Sequence, residues 1–174
     1  GRGVDLNNDV IAASGTVSMT GQHNTGATYA ISLSGSTSIT AGTGVTLESL
    51  NDNTGTIALL SSGGIDGGSG TVLMRAANYA FGGADRTITT TGVLTIEPDA
   101  DENSFASSFD NQYLNPVSVT GLTLGKSSNA SAITLSRAIS LSGPVSIYGG
   151  SIDVNANITA NSGNILLDAD TGST

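Results

Sequence analysis

The amino-acid sequence predicts an all-β fold, a right-handed parallel β-helix built of about nine three-sided coils. Three observations predict this solenoid. Apolar residues occur in packets of three or four that alternate with polar residues, as in Val17-Ser18-Met19 and Ile31-Ser32-Leu33, and period 2 is typical of half-buried strands. Gly, Asn, Ser and Asp, which tolerate tight turns, lie between the packets. The packets also recur at nearly constant spacing.

The spacing is most regular in the C-terminal third of the chain, where each packet has an equivalent three packets later. Strands this short are poor candidates for independent hairpins, so each is predicted to pair with its equivalent one coil later. Parallel connections favour a right-handed path. The predicted ladders place 133–135 over 152–154, 139–141 over 158–160, and 145–147 over 165–167.

The N-terminal half shows a looser version of the same repeat. Its apolar packets suggest that Ile11 is equivalent to Ile31, Ile39 to Ile57, and Val45 to Ile65. If the coils keep a similar length throughout, about nine of them at ~4.8 Å each form a rod roughly 43 Å long. Gly and Asn are expected at the corners, where the chain reverses direction within a short turn.

One stretch, 98–116, interrupts the rhythm. Phe105, Phe109 and Tyr113 lie at i, i+4 and i+8, which would place them on one face of a helix. Acidic residues precede them and Pro116 follows, as expected at a helix start and end. We therefore expect β-helix coils over 1–97, an acidic and aromatic insertion with a short helix over 98–116, and continuous coils over 117–174. The helix either covers an apolar patch or forms a binding protrusion.

The composition excludes several functional classes. The net charge is -9 with only five Lys and Arg, so no cationic surface for nucleic acid or for anionic lipid is expected. No apolar run approaches the ~20 residues of a membrane helix, so we expect no membrane insertion. The chain has no Cys, which removes disulfides, thiolate metal sites and Cys nucleophiles. We expect no cofactor.

Two groups of residues are candidates for a catalytic, binding or metal site. Asp66 and Asp85 are separated by about one coil, and Arg86 follows directly, so this group would be a catalytic or binding site if the two acids stack; the alternative is a surface ion pair. An acidic cluster in the insertion offers the hard oxygen ligands that Ca²⁺ prefers, although it lacks a complete calcium loop; its members are Asp99, Asp101 and Glu102. The single histidine, His23, is expected in an exposed turn, which leaves no Ser/His/Asp triad. We expect no catalytic residue.

Several phrases in the chain resemble the coils of filamentous-haemagglutinin-like bacterial adhesins. They are Gly1-Arg2-Gly3-Val4-Asp5-Leu6, Gly44-Val45-Thr46-Leu47 and Gly163-Asn164-Ile165-Leu166-Leu167-Asp168-Ala169. The acidic insertion followed by Val119-Thr120-Gly121-Leu122-Thr123-Leu124-Gly125 is similar to the same family. The resemblance implies a β-helix repeat segment of a large secreted protein, located outside the cell or on the bacterial surface. Its partners would be flanking repeats or identical units end to end, and host or surface glycans are candidate ligands.

Two functions follow from this interpretation. The first is a structural stalk or filament segment of an exported adhesin or surface fibre, a rigid rod without catalytic activity. The alternative is a polysaccharide-active or glycan-binding β-helix domain, centred on Asp66, Asp85 and Arg86 or on the aromatic residues Phe105, Phe109 and Tyr113. Neither end of the sequence has a recognisable cap, although solenoid ends normally need one, so we expect a segment of a longer array.

Overall fold

The computed structural model describes residues 3–22, 28–50, 54–60, 63–83 and 85–169. This part of the chain contains 21 β-strands and no helix. The strands form parallel sheets in which hydrogen-bonded neighbours are three places apart in the chain. The all-β fold and the parallel, stacked-coil β-solenoid predicted from the sequence are therefore confirmed.

The strands belong to five sheets, and within each sheet neighbouring strands are hydrogen-bonded. The first sheet contains β1 (Val4–Leu6), β4 (Ile31–Leu33), β7 (Thr56–Leu59) and β10 (Asn78–Phe81). The second contains β14 (Leu114–Val117), β11 (Arg86–Thr89), β8 (Ile65–Asp66), β5 (Ile39–Ala41) and β2 (Val10–Ala12). The third contains β21 (Ile165–Ala169), β18 (Val145–Gly149), β15 (Gly121–Leu124), β12 (Val93–Glu97), β9 (Val72–Arg75), β6 (Val45–Ser49) and β3 (Val17–Gly21). The fourth contains β13 (Phe109–Asp110), β16 (Ala132–Leu135) and β19 (Ser151–Val154), and the fifth β17 (Ile139–Leu141) and β20 (Ile158–Ala160).

The number of turns is smaller than the sequence spacing predicts. Counted on its three large sheets, which have four, five and seven strands, the solenoid has about five turns and at most seven. The reason is the length of the N-terminal coils. Val17 pairs with Val45 and Val45 with Val72, whereas the sequence pattern suggested that Val45 would return already at Ile65.

The predicted pairings in the N-terminal half are accordingly wrong. Ile11 lies beside Thr40 and Ile39 beside Ile65, because the turns between these strands are longer than the pattern assumed. In the C-terminal third the turns are short, and all three predicted ladders are confirmed. The observed pairs include Ile133 with Ile152, Ile139 with Ile158, and Val145 with Ile165.

The core is a column of inward-facing apolar side chains from successive strands. In the third sheet Val45, Val72 and Leu94 lie over one another and are almost fully buried. Close stacking of corners explains part of the glycine content. Gly68 adopts a positive φ of 57°, and a Cβ there would approach the carbonyl oxygen of Gly42 to 2.4 Å, so a larger residue cannot be accommodated without displacing the coil below.

The predicted helix in 98–116 is not present. After β12 the chain runs through turns and bends and then forms strands β13 and β14. Pro116 lies within β14 and pairs with Ile88. Because β14 is the end strand of its sheet, the missing proline N–H is tolerated at its open edge.

Burial along one ladder gives a direct test of the register. Ile133 is 1% exposed, whereas Ile152, its partner in the following strand, is half-buried against the core. We expect Ile133→Asp to lower the free energy of unfolding by several kcal/mol, since an unpaired charge would enter the core, and Ile152→Asp to cost clearly less. Urea denaturation measures both, with Ser140→Asp on the exposed face as the control. Equal, small effects of the two Ile substitutions would show that 133 does not face inward.

Candidate functional site

Four aromatic side chains from two successive coils pack together, and we call them the aromatic cluster: Tyr79, Phe81, Phe105 and Phe109. The ring of Phe109 meets those of Tyr79 and Phe81 edge-on, with centroids 5.7 and 6.0 Å apart. Phe105 lies edge-on to Tyr79 at 5.8 Å and stacks on Phe109 at 5.6 Å. These are favourable geometries for aromatic pairs. The cluster therefore fixes the insertion to β10 of the preceding coil.

The cluster fills an interruption in the wall of the solenoid. β10 is the last strand of the first sheet and β13 is the first strand of the fourth, and the two are not paired. The segment before β13 approaches β10 at its start, where Ala106 N donates to Ala77 O at 2.8 Å and the Ser107 hydroxyl donates to Asn78 Oδ1 at 2.9 Å. Beyond this contact the ladder does not continue. We call this interruption between β10 and β13 the wall gap.

The wall gap contains a cavity of about 160 Å³. All four rings of the aromatic cluster line it, and its polar lining includes Asn78, Ser107, Ser108 and Asp110. Phe105 and Phe109 are each 4% exposed, whereas Tyr79 and Phe81 are half-buried. The cavity thus combines aromatic walls with a polar rim, as small-molecule sites in proteins commonly do.

Tyr79 is anchored by its hydroxyl group, which lies 2.8 Å from Met74 O and 2.9 Å from Glu97 O and donates to these carbonyls. Burial raises the pKa of Tyr79 well above its usual value, and the nearby Glu97 carboxylate raises it further. The phenol is therefore neutral and serves as a structural anchor for the ring. Its position leaves the ring, and not the hydroxyl, available to the cavity.

The candidate acidic group predicted from the sequence is not brought together. Asp66 lies beside Thr89, and its carboxylate accepts from Gly68 N at 2.9 Å. Asp85 instead forms a two-bond ion pair with Arg137, whose second nitrogen lies 2.9 Å from Oδ2. Hydrogen bonding to Arg137 lowers the pKa of Asp85 below its ordinary value. These two carboxylates do not occupy equivalent positions on adjacent coils.

Arg86 is directed into the solenoid and is only 3% exposed. Its Nε donates to Leu59 O at 2.5 Å, while Nη1 is buried with no hydrogen-bond partner among the described residues. Burial lowers the pKa of the guanidinium group. Arg86 is thus a buried cation whose surroundings only partly compensate for its lost hydration.

The acidic residues of the insertion are also separated in their roles. Asp99 is buried; its Oδ1 accepts from Ala100 N at 2.6 Å, and its main-chain oxygen accepts from Lys126 Nζ at 2.9 Å. Asp101 is exposed and Glu102 is half-buried. Within the described residues no three His, Cys, Asp or Glu side chains form a group that could hold a metal ion.

Of the aromatic candidates, Phe105 and Phe109 belong to the aromatic cluster, whereas Tyr113 does not contact it through its ring. The main-chain oxygen of Tyr113 accepts from Arg86 N at 2.7 Å. Sequence reasoning missed Tyr79 and Phe81, which occupy the inward positions of β10 over Ile57 and Leu59. Their i, i+2 spacing indicates only that both face the core of a strand. His23 lies outside the described residues.

No protein-family model, curated protein or solved structure matches this chain. Among the described residues there is no helix of the length and apolar character needed to cross a membrane. The fold itself defines the class of protein: the chain is a parallel β-solenoid, compatible with a β-helix repeat protein.

The environment of Arg86 yields a prediction about stability. Leu59 O also accepts from Gly82 N at 3.0 Å, so it stays paired if the guanidinium is removed. We expect Arg86→Met to leave the free energy of unfolding within about 1 kcal/mol of the parent or to raise it, because an apolar side chain of similar length replaces a partly unpaired buried cation. Arg86→Ala should cost about 2 kcal/mol or more, since it leaves a cavity.

Urea denaturation of the two variants measures this difference. If Arg86→Met destabilises the chain as much as Arg86→Ala, the charge itself is needed and the packing argument is wrong.

Proposed function

We propose that this chain is a structural segment of an exported bacterial adhesin or surface fibre, a rigid stalk or filament unit without catalytic activity. One observation carries the proposal: a single parallel sheet extends from β3 to β21, and the last described coil presents inward-facing apolar side chains that no further coil among the described residues covers. The resemblance of the coil sequences to filamentous-haemagglutinin-like adhesins supports the extracellular or cell-surface location.

In the last described coil, inward-facing residues are exposed that are buried one coil earlier. Ile165 and Leu167 pair with Val145 and Ile147 of the preceding strand, both of which are 0% exposed. Ile165 and Leu167 are themselves 45% and 44% exposed. The same ladder positions are therefore covered one coil earlier and uncovered here. A further coil of the same kind would bury them.

At the opposite end of the chain, the outer strand of this sheet runs in the same direction. β3 and β21 are the two outer strands of the same parallel sheet, so β3 of a following unit could extend that sheet on β21 in the same direction. Such contacts join two different surfaces, and contacts of this kind produce open filaments. We propose that units join end to end, covalently or by stacking, in a right-handed solenoid with a three-sided cross-section.

We propose that the chain has no catalytic activity because the candidate acids are engaged in structural contacts. Asp66, Asp85 and Arg86 serve three separate structural contacts, which supports a structural role for each of them. The rod would derive its stiffness from backbone pairing along its axis, which requires neither disulfides nor metals.

A tandem fusion of two copies tests the proposal and offers a matched pair of variants. Leu166 is 43% exposed, like its neighbours, but it lies over Ser146 on the outer face. We expect the tandem to unfold in one transition and its maximum dimension to exceed that of one copy by ~25–35 Å, the rise of five to seven strands.

Leu167→Lys in the first copy should uncouple the two halves, because the charge would be buried at the junction. Leu166→Lys should not. Small-angle scattering and thermal unfolding report both properties. Two independently melting units in the unsubstituted tandem, or equal effects of the two Lys substitutions, would contradict end-to-end continuity.

A further inference from the structure

We propose that the wall gap binds one neutral pyranose unit of a glycan. The sugar ring would lie against the aromatic cluster, and its hydroxyl groups would bond the polar rim and the free backbone edge of β10. This binding site goes beyond the rod function and does not depend on it, since the same gap would exist in an isolated unit.

One backbone edge of β10 faces the wall gap. Asn78 N donates to Gly55 O and Gly82 N to Leu59 O, both at 3.0 Å, so these alternate residues direct their backbone groups toward β7. In a parallel strand the residues between them direct theirs to the opposite side. Tyr79 and Phe81 therefore direct N–H and C=O groups toward the wall gap, where β13 does not pair with them. These groups can serve hydroxyls as donors and acceptors.

The cavity in the wall gap has a size and an opening that suit one sugar ring. The cavity of about 160 Å³ is close to the ~150 Å³ of an apolar protein cavity that accepts one benzene ring. A pyranose also has a single six-membered ring but is larger than benzene because of its substituents, so its C–H face would enter against the aromatic wall while its hydroxyls reach the polar rim and solvent. Because the cavity opens to solvent, the neighbouring sugars of a chain could extend outward from it.

The charge around the cavity disfavours an anionic ligand. Asp110 is the charged side chain in the lining of the cavity, and no Lys or Arg among the described residues lines it. The Asp110 carboxylate accepts from Gln112 N and from the Ser136 hydroxyl, each at 3.0 Å, and a carboxylate has about four acceptor positions. It can therefore accept sugar hydroxyls as well. With a net charge of -9, the protein would repel uronic or sulfated sugars, so a neutral pyranose fits the site better than an anionic one.

The test is an NMR titration of the full chain, which reports binding residue by residue. The probes are the methyl glycosides of glucose, galactose, mannose and N-acetylglucosamine, with methyl glucuronate as the anionic probe and trialanine as an extended peptide. We expect at least one neutral glycoside, at millimolar concentration, to shift amides of 77–81 and 105–110. Glucuronate should bind at least about tenfold more weakly.

Substitutions test whether the changes in amide chemical shift come from binding in the wall gap. Phe81→Leu keeps an apolar side chain in the core but removes a ring, and Asp110→Ala removes the rim carboxylate; each should weaken binding about tenfold. Tyr148→Leu, on the outer face of β18, should have no effect. Circular dichroism checks that each variant is folded.

Three results would overturn the proposal. They are the absence of localised shifts with every neutral glycoside, equal binding of glucuronate, and shifts at Tyr79 and Phe81 with trialanine but with no sugar. The last would assign the gap to an extended peptide strand. Because the titration uses a single copy, its failure leaves the tandem experiment on rod continuity unaffected.

Discussion

Parallel backbone pairing between each strand and the strand one coil later is the interaction on which this structure depends. It places inward positions over inward positions, so that Val45, Val72 and Leu94 form a continuous apolar column. Each coil can bury its apolar face only against its neighbours. The same constraint extends to the corners, where Gly68 lies against the backbone of Gly42. The fold is thus a consequence of repetition, and it needs neither a large central core nor disulfides.

Charged side chains on the outer face follow the same ladder. Arg75 lies between Glu48 and Glu97 on adjacent strands, with Nε 2.5 Å from Glu97 Oε1 and Nη1 3.6 Å from Glu48 Oε1. The two carboxylates raise the pKa of Arg75, mainly through its hydrogen bond to Glu97. Such partly exposed pairs contribute at most about 1 kcal/mol each, so they support the register without determining it. Where the ladder is interrupted, at the wall gap, aromatic rings take over the filling of the core.

The sequence predicted the fold where turns are short and regular, and failed where they are not. The ladders through Ile133 and Ile139 could be aligned because the short coils there leave one consistent register. In the N-terminal half, Val45 could be aligned with several later packets that look alike. The length of the intervening turns determines which of these packets pairs with Val45. The polar residues of a turn carry little information about that length. The observed partner of Val45 is Val72.

The aromatic spacing in the insertion was misread for a related physical reason. Phe105 and Phe109 have helical spacing, but their burial against Tyr79 and Phe81 outweighs local helix propensity, as tertiary packing often does. Both Phe residues were identified as binding candidates from the sequence. Tyr79 and Phe81 were not, because an aromatic residue at alternate positions of a strand is typical of an ordinary core. Only the missing ladder between β10 and β13 distinguishes them.

The register of the N-terminal coils is the part of the parallel pairing that departs most from the sequence pattern, and cysteine cross-linking tests it most directly. The chain contains no Cys, so introduced pairs report without interference. Thr46 and Leu73 are adjacent on the outer face of the third sheet, and neighbouring strands lie within the Cα separation that a disulfide requires. The structure predicts that a Thr46→Cys, Leu73→Cys variant forms an intramolecular cross-link on mild oxidation. The shorter repeat suggested by the sequence would instead place Thr46 beside Asp66. If a Thr46→Cys, Asp66→Cys variant cross-links preferentially, the structure is contradicted.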